Sequence, residues 1–192
     1  MQNAEGRCNA SLDPEGVHAN QCKRGGHVIR RHDRIVRWLA KWLGERVDTE
    51  ILVEQSFPHG PNTDARLDIT FESGGRRIWL DVAVVTVLTA DVANRIRRAN
   101  VDGAAARQEE GSKRSKYQGR ATPFVIEALG RPGESARSVL GRFAADQGQG
   151  VSIDVAEAWQ SLSSILQAES AAIELKACGH ATADWHKAPY QF

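Results

Sequence analysis

The sequence predicts an α/β domain in which a central mixed β-sheet is flanked by α-helices. Two observations support this fold class: helical and strand patterns alternate along the chain, and two β-branched runs enclose a Gly-Gly pair that is typical of a hairpin. The 192 residues suffice for one domain with a hydrophobic core and are too few for two domains of ordinary size. We therefore expect a single domain with appendages.

The chain begins with a polar, turn-rich leader over residues 1–27, for which we predict a loop or a small metal-pinned appendage. Residues 28–43 then carry apolar side chains at helical spacing, and Gly44 supplies a stop signal. This pattern predicts an amphipathic helix at the start of a core domain over residues 28–150.

Three strands are predicted next, over residues 50–57, 66–72 and 77–87. Gly74 and Gly75 lie between the second and the third, so these two strands are expected to form a hairpin. The third run is nearly continuous in its hydrophobicity apart from one carboxylate, which is typical of a central strand buried on both faces.

A helical region follows over residues 89–117, with interruptions expected at Gly103 and Gly111. Residues 123–129 form another short apolar strand. Two more helices are predicted over residues 135–147 and 155–177. The second of these belongs to a C-terminal helix and tail over residues 151–192.

Charge and cysteine content narrow the classes of function. The net charge is only +1, so a surface for nucleic acid must come from local basic clusters, each of which is equally well explained as a solvated helix face. No stretch is long enough to cross a bilayer and no signal-peptide pattern is present, which predicts an intracellular protein. Three cysteines argue against a disulfide framework. The basic clusters are Lys23-Arg24, Arg30-Arg31 with Arg34 and Arg37, then Arg95 with Arg97 and Arg98, and Lys113-Arg114 with Lys116.

Asp68 and Asp81 are the most informative residues, because each interrupts an apolar strand on one side of the predicted hairpin. A lone carboxylate in a buried strand is unfavourable unless it is paired, protonated or bound to a metal. The two are almost equidistant from the Gly-Gly turn, so they are expected to stand nearly opposite each other, at a Cβ separation of about 4.5 to 5.5 Å. Two carboxylates at that separation favour Mg²⁺ or Mn²⁺, which could serve phosphodiester hydrolysis.

The segments around the two aspartates resemble a known family. Arg66-Leu67-Asp68 is separated by twelve residues from Asp81-Val82-Ala83-Val84. This arrangement resembles the pattern of Pro-Asp, a twelve-residue spacer and a second Asp in the restriction-like endonuclease domain of site-specific non-LTR retrotransposons, a branch of the PD-(D/E)xK nucleases. The resemblance implies a restriction-endonuclease-like core with Asp68 and Asp81 as metal ligands. Leu67 replaces the usual proline, and Ala83 stands where the larger superfamily often has its lysine.

A lysine from the following helix is part of the same resemblance. Glu110, Lys113, Lys116 and Tyr117 are similar to the Lys-Tyr segment of that branch, and residues 123–130, which include Glu127, resemble the strand after it. The resemblance implies that one lysine orients the attacking water and offsets charge on the phosphate. Lys116 is preferred because it directly precedes Tyr117, with Lys113 as the substitute; solvated helix lysines are the alternative.

The leader resembles the cysteine and histidine knuckle that precedes such nuclease cores. Cys8, His18 and Cys22 are in register with it, but Glu5 stands where its first cysteine would fall, so a four-ligand zinc site would need His27 to close it. The alternative is a leader with two ordinary thiols.

The Arg31-His32-Asp33 segment resembles the start of the helix that follows the knuckle in that family. His32 lies on the apolar stripe of the predicted helix, where a buried and hydrogen-bonded histidine is the commoner explanation. Alternatively, His32 or Asp33 faces the metal from the first helix, where related nucleases often carry an acidic residue.

The resemblance implies a metal-dependent endonuclease that nicks DNA so that a 3′ hydroxyl can prime reverse transcription. Its partners would be DNA and the RNA of a parent element, and its location nuclear if the source is eukaryotic. Two other hypotheses stay open: a decayed module that binds DNA or protein without cleavage, and an interaction domain in which the aspartates pair with Arg66, Arg76 or Arg77. The candidate DNA contacts are Arg31, Arg34, Arg66 and Arg114.

Overall fold

The structure is a computed structural model that describes residues 17–22, 26–58, 65–145 and 151–177. Its elements are, in chain order, α1 (Val17–Gln21), α2 (His27–Gly44), β1 (Leu52–Ser56), β2 (Arg66–Ser73), β3 (Arg76–Val85), α3 (Val92–Asn100), α4 (Ala104–Lys116), β4 (Thr122–Glu127), α5 (Glu134–Ala145) and α6 (Val151–Ala177).

The four strands form one mixed sheet in the order β1, β2, β3, β4. β2 is antiparallel to both β1 and β3, and β4 runs parallel to β3. The predicted hairpin is confirmed: Ser73 pairs with Arg76, and both intervening glycines have positive φ, 59° at Gly74 and 69° at Gly75. A two-residue turn with this geometry matches the twist of the strands and favours glycine at both positions. The sheet and its helices confirm the predicted α/β class.

Alternate residues of β3 serve the two faces of the sheet. Leu80 and Val82 lie in the main core, to which α2, α5 and α6 contribute. Trp79 packs instead on a smaller apolar cluster near the C-terminal end of α4. Asp81 alternates with the core residues and is 4% exposed. The pleat of β3 therefore carries this carboxylate away from the main core and toward α4.

A buried charge cluster joins α2 to α6. Glu169 of α6 is fully buried and accepts hydrogen bonds from Arg30 at 2.9 Å and from Arg34 at 2.6 Å. Arg31 is also buried, donates to Ser170 at 3.2 Å, and has a pKa lowered by burial although Glu169 opposes that effect. The predicted C-terminal helix, α6, also packs on the main core through Ala158, Leu162 and Leu166.

The helical region predicted over residues 89–117 is two helices. Gly103 adopts a left-handed conformation, with φ of 68°, and is the N-cap of the second helix, α4, whereas Gly111 lies inside α4 without breaking it. The leader differs as well, because residues 17–21 form a helix where no helical period was predicted. In the part of the chain that the structure describes, no helix is long and apolar enough to cross a membrane.

Two buried glutamates accept hydrogen bonds at the beginnings of helices. Glu127 of β4 accepts from the backbone N–H of Ala106, in the first turn of α4, at 3.1 Å. Glu110 of α4 accepts from the backbone N–H of Ser135, in the first turn of α5, at 2.9 Å. The first N–H groups of a helix lack intrahelical partners and favour negative charge. Both glutamates, singled out in the sequence as site candidates, thus have a role in fixing α4 and α5.

Glu169→Gln is expected to lower the free energy of unfolding by about 3 kcal/mol or more, because it leaves buried guanidinium groups without their counter-charge. Urea denaturation followed by circular dichroism measures the effect. The matched control is Glu174→Gln, which alters an exposed glutamate of the same helix and should change stability by less than about 0.5 kcal/mol. Equal stability of the two variants would contradict the role assigned to Glu169.

Candidate active site

Asp68 and Asp81 lie where β2 and β3 separate. The paired register of the two strands ends at Ile69 and Leu80, and one further step along it places the two aspartates opposite each other. At this point the carboxylate Oδ2 of Asp68 accepts a hydrogen bond of 2.6 Å from the backbone N–H of Val82. This register agrees with the prediction that the two aspartates stand opposite each other. Beyond the last paired residues, the Asp68 side chain takes the place of a backbone acceptor for the N–H of Val82 in β3.

Tyr117, the residue that caps the end of α4, lies at this separation. Its hydroxyl oxygen is 2.7 Å from Oδ1 of Asp81 and 2.8 Å from the carbonyl oxygen of Arg66. A phenol has one proton to donate, and the carboxylate is the stronger acceptor. Burial, and then the hydrogen bond to Asp81, raise the pKa of Tyr117 above its usual range, so the hydroxyl stays protonated. Tyr117 thus joins α4 to both strands of the hairpin.

The two candidate lysines have different positions. The ammonium of Lys113 forms an ion pair with Oδ2 of Asp81, an oxygen that is buried and has no aligned hydrogen bond. Lys116 instead donates to the hydroxyl of Tyr117 at 2.8 Å and lies 4.6 Å from the centre of its ring. The sequence favoured Lys116, whereas the structure brings Lys113 to the carboxylate. The reason is helical spacing: Lys113 and Tyr117 are four residues apart and lie on the same face at the C-terminal end of α4.

His32, in α2, contacts Asp68. Its Nε2 is 3.4 Å from Oδ1 of Asp68, and its Nδ1 is 3.2 Å from Oδ1 of Asp33. The hydrogen bond to Asp68 raises the pKa of His32 to about 9, although burial acts in the opposite direction. His32 is therefore positively charged at neutral pH. Asp33, which the sequence offered beside His32 as a residue that could face a metal, contacts His32.

A small apolar cluster surrounds the buried tyrosine. The rings of Phe57 and Tyr117 meet edge to face at 5.2 Å, and Phe57 meets Trp79 in the same way at 5.3 Å. Leu67, which replaces the proline of the family pattern, is 1% exposed and belongs to this cluster. This packing excludes water from the tyrosine side of the Asp81 carboxylate.

Sequence reasoning missed the aromatic residues of this cluster and Glu54. Glu54 lies between two residues of β1 that pair with Ile69 and Leu67, so the register places it opposite Asp68, and its φ is an unusual 55°. The Glu54 carboxylate is exposed and lies 3.9 Å from Arg66. The first predicted strand, over residues 50–57, contains two glutamates, Glu50 and Glu54, and no sequence pattern distinguishes the second as a site residue.

The fit of a divalent metal to these residues rests on two carboxylates. Within residues 17–22, 26–58, 65–145 and 151–177 there is no group of three or more His, Cys, Asp or Glu side chains arranged to hold a metal. Mg²⁺ is commonly held by one or two carboxylates with waters and substrate phosphate completing its shell. The chemistry of Asp68 and Asp81 fits such an ion, since the side chain of Asp68 is 19% exposed and Oδ2 of Asp81 lacks an aligned donor.

The remaining predicted residues are distributed over the fold. Cys8 lies outside the described residues, while His18 and Cys22 lie in and just after α1, with the backbone N–H of Cys22 donating to the carbonyl of His18 at 2.9 Å. His27 begins α2. The structure leaves zinc binding as an untested hypothesis.

The four candidate DNA contacts differ in their accessibility. The guanidinium of Arg31 is buried and bonded inside the protein, so it presents no surface to DNA, and that of Arg34 is occupied by Glu169. Arg66 is exposed. Arg114 is half-exposed and donates to the hydroxyl of Ser135 at 2.6 Å.

No protein-family model matches the chain, and no curated protein matches it.

The pKa of His32 provides a test of the Asp68 contact. Because the folded-state pKa is raised from 6.5 to about 9, the contact stabilises the fold fully below pH 6.5, and this contribution is lost as pH rises through about 9. NMR titration of the imidazole without metal should give a pKa near 9. Asp68→Asn should move it back toward 6.5, and Asp33→Asn should move it less. An unchanged His32 pKa in Asp68→Asn would contradict the contact.

Proposed function

We propose that the chain is a divalent-metal-dependent endodeoxyribonuclease that nicks DNA, similar to the restriction-like endonuclease domain of site-specific non-LTR retrotransposons. The observation that carries the proposal is the separation of β2 and β3 at Asp68 and Asp81, with the ammonium of Lys113 at the second carboxylate. These are the residue types that phosphodiester hydrolysis requires: oxygen ligands for a hard cation beside a fixed positive charge.

The local charge balance supports a metal-binding role. Without a metal, the negative charges of Asp68 and Asp81 are matched by His32 and Lys113, both in direct contact with them. A divalent cation carries the same charge as these two groups together and would compete with them for the carboxylate oxygens. When bound, such a cation supplies Lewis-acid stabilisation of the scissile phosphate.

The protein residues then have separate roles. Tyr117 holds the carboxylate of Asp81 through its hydroxyl, and the Val82 N–H holds that of Asp68. Displaced from Asp81 by such a cation, Lys113 would donate to a phosphate oxygen or to the attacking water. Lys116 keeps its contact with the Tyr117 hydroxyl and so acts as a positioning residue.

A second candidate function, a binding module without catalysis, is favoured by one observation. Each of the four carboxylate oxygens already meets a protein group: those of Asp68 meet His32 and the Val82 N–H, and those of Asp81 meet Tyr117 and Lys113. Such a cluster could stabilise the hairpin without a metal. Two of the three arginines that the interaction-domain hypothesis named contact other carboxylates, since Arg66 contacts Glu54 and Arg77 contacts Glu72.

Nicking of supercoiled plasmid with Mg²⁺ or Mn²⁺ tests the proposal. The wild type should nick in a metal-dependent way, and Asp68→Asn and Asp81→Asn should each retain less than about 1% of that rate, because several kcal/mol of charge stabilisation are lost. Asp102→Asn, which changes an exposed aspartate that forms an ion pair with Arg131, is the matched control and should nick as the wild type does.

Two lysine variants in the same assay separate the proposed roles. Lys113→Met should abolish most of the nicking, whereas Lys116→Met should lower it by about tenfold, as expected of a group that acts through another residue. If the wild type does not nick DNA although it folds and binds DNA, the nuclease proposal is wrong. The second candidate function, a binding module without catalysis, would then be the better account.

A further inference from the structure

Helix α3 contributes no buried side chain to either hydrophobic cluster of the described chain. None of its residues is buried, and Val92 and Ile96 are 56% and 57% exposed. A nine-residue helix is marginal on its own, and here the side chain of Asp91 caps it by accepting from the backbone N–H of Asn94 at 2.6 Å. The core does not explain why this segment is helical and amphipathic. An interaction on its outer face would explain both properties.

The orientation of α3 follows from Arg98. The guanidinium of Arg98 donates to the carbonyl of Thr86, just after β3, at 3.0 Å, and to the side chain of Gln108 in α4 at 3.3 Å. Arg98 therefore faces the protein. Since successive residues of a helix are rotated by about 100°, Ile96 lies roughly 200° away from it and faces outward.

The outward face combines an apolar stripe with arginines on both of its sides. Val92 and Ile96 are four residues apart and form the stripe. At about 100° per residue, Arg95 falls on one side of it and Arg97 on the other, and both are exposed. Residues 92–100 contain no acidic side chain, unlike the other described helices of more than five residues. The charge of this face is complementary to a polyanion.

We propose that α3 binds duplex DNA, with Arg95 and Arg97 contacting phosphates on either side of a groove and the Val92 and Ile96 stripe lying against the groove floor. A major groove about 12 Å wide accepts one α-helix, and apolar side chains there meet thymine methyl groups. The helix connects β3, which carries Asp81, with α4, which carries Lys113, so DNA bound at α3 is coupled directly to both elements of the candidate active site. This inference rests on the proposed nuclease function in taking DNA as the partner.

The test is DNA binding by the full chain, measured without divalent metal by fluorescence anisotropy between about 50 and 200 mM salt. The variant is Arg95→Gln/Arg97→Gln, which should fold normally because α3 buries no side chain. Its plot of log K against log salt should be less steep by about 1.8, which is about 0.9 for each lost phosphate contact. Far-UV circular dichroism and thermal unfolding verify the fold.

The matched control is Arg76→Gln/Arg77→Gln, which removes the same charge at the hairpin end of β3, roughly 30 Å along the strand from Val85. This control should keep the wild-type salt slope. An equal change of slope in both double variants, or none in the α3 variant, would overturn the inference. Anionic phospholipid vesicles serve as a second probe: loss of vesicle binding in the α3 variant with unchanged DNA binding would also overturn it, in favour of a membrane surface.

The outcome is distinguishable from failure of the nuclease proposal. Wild-type nicking together with an unaltered salt slope in the α3 variant would overturn the role of α3 and leave the nuclease standing. DNA binding that depends on Arg95 and Arg97 in a chain that never nicks would support α3 and exclude catalysis. Absence of any DNA binding by the wild type would overturn the inference about α3.

Discussion

The hydroxyl of Tyr117 is the contact on which the candidate site depends. It lies within hydrogen-bonding distance of the Arg66 carbonyl in β2 and of the Asp81 carboxylate in β3, at the point where these strands separate. Without it, the buried carboxylate of Asp81 would lose a donor, at a cost of about 1–3 kcal/mol. The aromatic packing of Phe57 and Trp79 around the ring keeps this hydroxyl in place.

The separation of the strands has an electrostatic consequence. A paired ladder would use the Val82 N–H for backbone bonding, whereas here Asp68 accepts from it, and the strand register places Asp81 opposite Asp68. Like charges opposite each other repel, and the fold offsets the repulsion with His32 of α2 at Asp68 and Lys113 of α4 at Asp81. The same arrangement that stabilises the metal-free protein is the one that a divalent cation would replace.

The sequence predicted the hairpin and the aspartate pair because both follow from local rules. Gly74-Gly75 sets the turn, and strand pairing then places Asp68 opposite Asp81 by counting alone. The structure brings Lys113, the substitute in the prediction, to Asp81 and the preferred Lys116 to the Tyr117 hydroxyl, a difference that depends on how α4 is rotated about its axis. The burial of Arg31 was missed for a related reason: its partners Asn20 and Ser170 come from distant segments. The resemblance to retrotransposon endonucleases remains a hypothesis.

Mn²⁺ binding to the full chain, followed by the electron paramagnetic resonance signal of the free ion, tests the central claim most directly. If the separated strands form a metal site, the wild type binds Mn²⁺ saturably, and Asp68→Asn and Asp81→Asn each weaken the affinity by about tenfold or more. Tyr117→Phe, which keeps the ring and removes the hydroxyl, weakens it to a smaller extent. Binding that is absent from the wild type, or unaffected by both aspartate substitutions, would contradict the account.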